Sequence, residues 1–89
     1  MTVYIKDPEA VLDYAFDWSD WLASGETITS HLVTVPTGIN LDSSAESAGK
    51  VTAWLSGGSV GETYRVECLI ATIAGRTDER SLWIKVVER

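Results

Sequence analysis

Apolar and polar residues alternate with a period of two along most of this chain. The pattern is clearest in the last third, where the runs Gly61–Thr72 and Arg80–Val87 flank the polar, glycine-bearing stretch Ile73–Glu79. Two such runs around a turn predict a β-hairpin. Upstream, Leu12, Tyr14 and Phe16 alternate with Asp13, Ala15 and Asp17, a first strand with one apolar face. Thr27 to Val35 is rich in β-branched residues and stops at Pro36-Thr37-Gly38, a second strand and its turn. Ile39 and Leu41 open a third strand, and Ser43 to Gly49 reads as a small polar loop. Lys50 to Ser56 is a fourth strand, with Val51, Ala53 and Leu55 on one face and Thr52 and Trp54 on the other; Gly57–Gly61 turns the corner into the hairpin. The period changes once. Trp18, Trp21 and Leu22 share one side of a single helical turn, which Asp17 or Ser19 would cap. Residues 1–10, with Asp7-Pro8 set against helix, read as a flexible lead-in to a single domain spanning residues 11–89.

Six strands, or seven if residues 39–49 split, close as a two-sheet β-sandwich. Tyr64 opens the first arm of the hairpin two residues before Val66, where the tyrosine corner of an immunoglobulin-like sandwich sits. The alternation assigns Leu12, Tyr14, Phe16, Ile28, Leu32, Val51, Leu55, Val66, Ile70, Leu82, Ile84 and Val86 to the core. Within the hairpin, pairing Ile70 with Leu82 sets core residues opposite each other, and the same register puts Leu69 opposite Trp83 and Glu67 opposite Lys85.

Composition narrows the function. The chain has 89 residues, enough for one core and no more. Its net charge of −6 argues against nucleic acid as a partner. The charge is uneven: residues 1–49 hold eight acids and one base, and residues 50–89 hold five acids and six bases. That asymmetry would favour head-to-tail contact between copies, against the simpler reading of an ordinary solvated acidic face. Nothing resembles a membrane span or a signal peptide, since the apolar run Ala10–Phe16 is broken by Asp13. A single cysteine allows no internal disulfide, so the fold must form without staples.

Catalytic constellations are poor. His31 and Cys68 are the one histidine and the one cysteine. Cys68 is in phase with Val66 and Ile70, a core position at which a thiol is inert, and His31 is assigned to the face opposite Leu32. One Cys and one His do not make a soft-metal site. Asp13, Asp17, Asp20 and Glu26 offer hard oxygens to calcium, but at spacings that match no calcium loop. Gly57–Gly61 lacks the lysine and the helix of a phosphate loop. The expectation is no catalytic residue, no metal and no cofactor.

Four tryptophans invite a binding reading. Trp18 and Trp21 are expected to plug an open end of the sandwich. Trp54 and Trp83 fall on the face opposite the core residues of their strands, as do Leu69, Ile73 and Val87. An exposed apolar patch of this kind marks a contact surface. Leu69, Ile73, Trp83 and Trp54 are therefore the candidate interface, with Arg76, Asp78, Glu79 and Arg80 at the hairpin tip as its polar rim.

Several segments together resemble a known family. They are Asp7-Pro8 through Leu22 with the block Asp17-Trp18-Ser19-Asp20-Trp21-Leu22; Gly25-Glu26-Thr27-Ile28; Val35-Pro36 with Gly38; Val51 through Tyr64 with Trp54-Leu55-Ser56-Gly57-Gly58; and Ala74-Gly75-Arg76-Thr77-Asp78-Glu79-Arg80-Ser81 running on to the C-terminus. The chain is similar over nearly its whole length to the short immunoglobulin-like fibre–tail adaptors of tailed phages and prophages. The resemblance implies a structural virion component, assembled in the host cytoplasm, whose partners are other phage tail or fibre proteins. It brings no catalytic residue and no cofactor. A homo-oligomer fits it; nucleic acid and membrane do not. The alternative class is an immunoglobulin-like module that binds a cell-surface carbohydrate. Such a module needs aromatic faces beside polar groups in a groove, whereas assembly needs a flat apolar patch.

Overall fold

The computed structural model describes residues 3–88, and these residues form seven strands and no helix beyond a single turn. The strands are β1 (Val3–Lys6), β2 (Leu12–Asp17), β3 (Ile28–Thr34), β4 (Ile39–Ser47), β5 (Lys50–Gly57), β6 (Thr63–Thr72) and β7 (Thr77–Val86). One sheet has the order β1-β7-β6-β3 and the other β2-β5-β4. All pairings are antiparallel except β1 with β7. The two sheets stack into an immunoglobulin-like sandwich 43 Å along its longest axis.

The period-two pattern explains the core. Phe16, Val51, Leu55, Val66, Ile70, Leu82, Ile84 and Val86 all point between the sheets and are buried, as are Tyr14 and Ile28. Trp18, Ala53, Val33, Ile39, Tyr64 and Cys68 complete the same cluster. The tyrosine corner is formed: Tyr64 Oη accepts the backbone N–H of Ser59 at 2.9 Å. It ties the start of the β5–β6 connection to the start of β6.

Several sequence-based expectations are corrected. The seventh strand does not come from splitting residues 39–49. β4 runs unbroken to Ser47, because Ser43–Ser47 pair with β5 after a bulge at Leu41/Ser43. The extra strand is β1, inside the stretch read as a flexible lead-in: Val3–Lys6 pair with Trp83–Val86. Residues 1 and 2 of that stretch lie outside the described residues.

Leu32 is not core. A bulge between Ile28 and Ser30 shifts the phase of β3, so Val33 turns inward and Leu32 is 60% exposed. His31 accordingly faces the other sheet, its Nε2 3.3 Å from Ser44 Oγ on β4. Leu12 keeps its inward phase opposite Leu55, but it opens an edge strand and stays partly exposed.

The final hairpin has another register. Val66 pairs with Leu82, Leu69 with Glu79, Glu67 with Ser81 and Thr63 with Lys85. The turn is tighter than the polar run suggests. Gly75 N–H bonds Thr72 O, and Thr72 N–H bonds Arg76 O, with Gly75 at φ +83°. Arg80 and Asp78 are thus inside a strand, in phase with Leu82. The strand starts at Thr77, so Thr77, Asp78 and Glu79, which the sequence places in the turn, already pair with β6.

Candidate interaction surfaces

The hairpin residues read as a rim mostly face their own chain. Trp18 is fully buried and donates its indole Nε1–H to Asp78 Oδ2 at 2.8 Å. The Arg80 guanidinium lies 5.0 Å from the centroid of the same indole, 3.5 Å from Asp78, and bonds Asp17 O. Arg76 stacks 3.8 Å over Trp21 and makes a two-pronged ion pair with Glu26 through Nε (2.9 Å) and Nη2. Glu26 is buried and also accepts from Thr72 Oγ1 (2.6 Å) and Ala23 N–H (2.9 Å). The Arg76 bonds first, then Thr72 and Ala23, hold its carboxyl down at about 2.

This clamp forms because the chain turns sharply after β2. Asp17 Oδ1 accepts Ser19 N–H at 2.8 Å, and the Ser19 side chain first, then this backbone bond, keep Asp17 below the usual carboxylate range. Trp21 and Leu22 then bond back to Trp18 O in the single helical turn. Trp18 and Trp21 do plug the sandwich end, as the sequence indicates. In the sequence Glu26 stands out only as one of four scattered hard-oxygen donors and as part of the resemblance, because its partners are 46 and 50 residues away.

The apolar candidates separate into three places. Leu69 and Leu32 pair across β6 and β3 on the outer face of the larger sheet, with Ile73, 69% exposed, beyond them at the hairpin tip. Glu79 is exposed opposite Leu69. Trp83 lies on the same face but one end lower and is half-buried. Val3 flanks it on β1 and Arg65 on β6, the guanidinium 5.7 Å from the ring centroid. Val87 is half-buried just after β7. Trp54, 42% exposed, is on the outer face of the other sheet between Asp13 and Ser43, so it belongs to a separate patch.

The acidic and less acidic halves of the chain do not become two ends of the molecule, because β1 and β3 join β6 and β7 in one sheet. The acids instead collect on the β2-β5-β4 sheet, whose strands hold Asp13, Asp17, Asp42 and Glu46 against Lys50.

A half-open groove of about 520 Å³ runs between the Trp18–Leu22 turn and the β4–β5 turn, lined by Ser19, Leu22, Ser24, Thr27, Glu46 and Gly49 among others. Glu46 Oε2 accepts Gly49 N–H within it. Neither His31 nor Cys68 lines this groove. Cys68 is free and buried in the core, where desolvation pushes its thiol up to about 11. Among the described residues no three His, Cys, Asp or Glu side chains gather as a metal site.

The fold is that of a small immunoglobulin-like sandwich offering sheet faces and edges to other molecules. The chain is similar to the solution structure of the PKD domain from KIAA 1837 protein, with a TM-score of 0.61 and 21% identity, covering 99% of this chain and 80% of that one. At that identity the likeness speaks for the fold alone. Residues 6–85 match the model of the podophage GP4 fiber-tail adaptor protein gp77 family, and the chain belongs to that family. Among curated proteins none matches the chain. Membership makes it a structural phage adaptor and a virion component, a protein whose role is to contact other tail and fibre proteins.

Proposed function

We propose that this chain joins tail and fibre subunits of a tailed phage through the outer face of its larger sheet, performing no chemistry and assembling with its neighbours in the host cytoplasm. One observation carries the reading: in a chain of an adaptor family, Leu32, Leu69 and Ile73 form an exposed apolar row. Fully covering a leucine or isoleucine side chain is worth about 1.5–3 kcal/mol. Trp83 extends the contact toward β1, and Glu79 stands beside it as polar rim. Arg76, Asp78 and Arg80 act less as rim than as braces that hold the hairpin tip rigid. Copies of the chain contacting one another fit the same surface. The carbohydrate alternative is weaker, because Trp54 stands on an open sheet face and does not line the groove.

The test is a Leu69→Asp, Ile73→Ser pair and a separate Trp83→Ser variant, built into phage particles. Fibre attachment is scored by electron microscopy, and folding by circular dichroism of the isolated protein. The expected result is folded protein and particles that lose fibres. Full attachment with both variants would remove this face from the adaptor role. Light scattering on the isolated chain reports self-association separately, and a strict monomer leaves only contacts with other virion proteins.

A further inference from the structure

Five of the ten exposed large hydrophobics among the described residues come from one short stretch: Val3, Tyr4, Ile5, Val11 and Leu12. The remaining five are spread over β3, β5, β6 and the loops. The topology brings these five to one flank. β1 is an edge strand of the larger sheet and β2 an edge strand of the smaller. The Tyr4 and Tyr14 rings meet at 5.2 Å, so the two edges face each other. On the opposite flank the His31–Ser44 contact draws β3 and β4 together, and the one large hydrophobic exposed there, Leu32, points out from the sheet face.

The backbone on this flank is also open. Lys6 O accepts Val87 N–H, so Lys6 and, by alternation, Tyr4 turn their peptide groups toward β7. Val3 and Ile5 therefore turn theirs outward, the arrangement that accepts an added strand. An exposed edge can be blunted by an outward lysine or a proline. The four residues of β1 carry neither: its one lysine, Lys6, turns inward and is fully buried, with Nζ donating to Gly57 O (2.7 Å) and Asp7 O (2.9 Å). Asp7 and Glu9, which follow the edge strand, are acidic, with the buried Lys6 ammonium near both, while Asp13 faces out from the smaller sheet beside Trp54. The nearest cation on the sheet face is Lys85, one strand inward opposite Ile5.

We infer that the β1–β2 flank is a docking site for an extended segment of another protein, which adds as a strand beside β1, places apolar side chains on Val11, Leu12 and Tyr4, and carries basic residues toward the acidic stretch Asp7–Glu9. A second copy is the poorer occupant, since each copy brings a net charge of −6. The inference rests on the adaptor reading only in taking the occupant to be a protein. Its test leaves the Leu69, Ile73 and Trp83 face untouched, so either can fail alone.

The experiment titrates the isotope-labelled full chain with a strand-length synthetic peptide of alternating valine and threonine, lysine at both ends, followed by NMR. A twin peptide ends in glutamate. The expected result is saturable shifts of amides in residues 3–6 and 11–13, with the glutamate twin roughly tenfold weaker. Ile5→Pro removes an outward N–H, leaves the β7 ladder intact, and should abolish binding. If that variant does not fold, Val11→Lys, which lies outside every strand, should weaken the lysine peptide measurably. No shift at β1, equal binding of both peptides, indifference to the variant, or pairing of β1 with its own copy instead of the peptide would each overturn the inference.

Discussion

The two ends of the sandwich are closed by different chemistry. At one end, aromatic rings are sealed by charge: Trp18 under Arg80 and Asp78, and Trp21 under Arg76, which Glu26 anchors. At the other end the seal is backbone. Tyr64 bonds Ser59 N–H, and the ring is packed by glycines 38 and 58. Lys6 reaches in to cap the Gly57 and Asp7 carbonyls. The first end is made of side chains that can be truncated singly. The second depends on close approach, which any added atom disturbs. The ion-paired end also supports the hairpin tip that presents Ile73, so rigidity there bears on the proposed adaptor surface.

Loss of the aromatic plug should be the largest effect. Trp18→Ala removes a fully buried indole and leaves Asp78 with Arg80 alone. The expected cost is about 3–5 kcal/mol. A chain of this size has a total stability of about 4–13 kcal/mol, so much of it would go. Urea denaturation should show a much lower midpoint, and a midpoint within error of the parent would mean that this end is not sealed by Trp18.

At the backbone end the sharpest probe is Gly58→Ala. The added Cβ would sit 2.6 Å from Val86 Cγ2, at φ +96°. Strain and overpacking together should cost roughly 2–3 kcal/mol. Tyr64→Phe is milder. It keeps the ring and leaves Ser59 N–H unpaired, for a loss of about 1–2 kcal/mol. If Tyr64→Phe equals Gly58→Ala in thermal denaturation, the hydroxyl and not the close packing holds this end.

These ends also differ in how much a reader of the sequence can see. The tyrosine corner is local, five residues from acceptor to donor, so Tyr64 and its turn are legible from spacing. The strand alternation gives most of the core for the same reason. Leu32 misleads because one bulge, invisible to a period-two pattern, reverses the phase of β3. The hairpin register misleads because Asp78 and Glu79 read as turn while they pair with β6, and the Asp78 carboxylate is answered by Trp18, 60 residues upstream. Nothing local announces that pairing. The family resemblance does carry a trace of it, since Asp17–Leu22, Gly25–Ile28 and Ala74–Ser81 all converge on the clamp. β1 escapes because four residues are too few for periodicity, although Val3-Tyr4-Ile5 has strand composition.

The smallest effect keeps every atom and changes only protons, and it separates the ends by pH window. Glu26 has its carboxyl held at about 2 in the folded chain against an ordinary 4.5. The unfolded chain therefore takes up the proton first as pH falls. The stabilisation from the Arg76–Glu26 clamp is complete above about pH 4.5 and is lost as pH drops through about 2. Asp17 shifts the same way, through its bonds to Ser19. Lys6 behaves oppositely in origin: burial lowers it from its ordinary 10.5, so the folded state binds that proton less tightly than the unfolded chain. Its penalty is present at neutral pH and is relieved as pH climbs toward 10.5. Stability should thus rise with pH in two separate windows, an acidic one owned by the tryptophan end and an alkaline one owned by the Tyr64 end. Glu26→Gln should flatten the acidic limb of a Tm-against-pH curve and leave the alkaline limb alone, and Lys6→Met should do the reverse. Salt should shrink the acidic limb, because Arg76 is partly exposed to solvent. A single variant that flattens both limbs would show that the two ends are coupled through the core and are not independent closures.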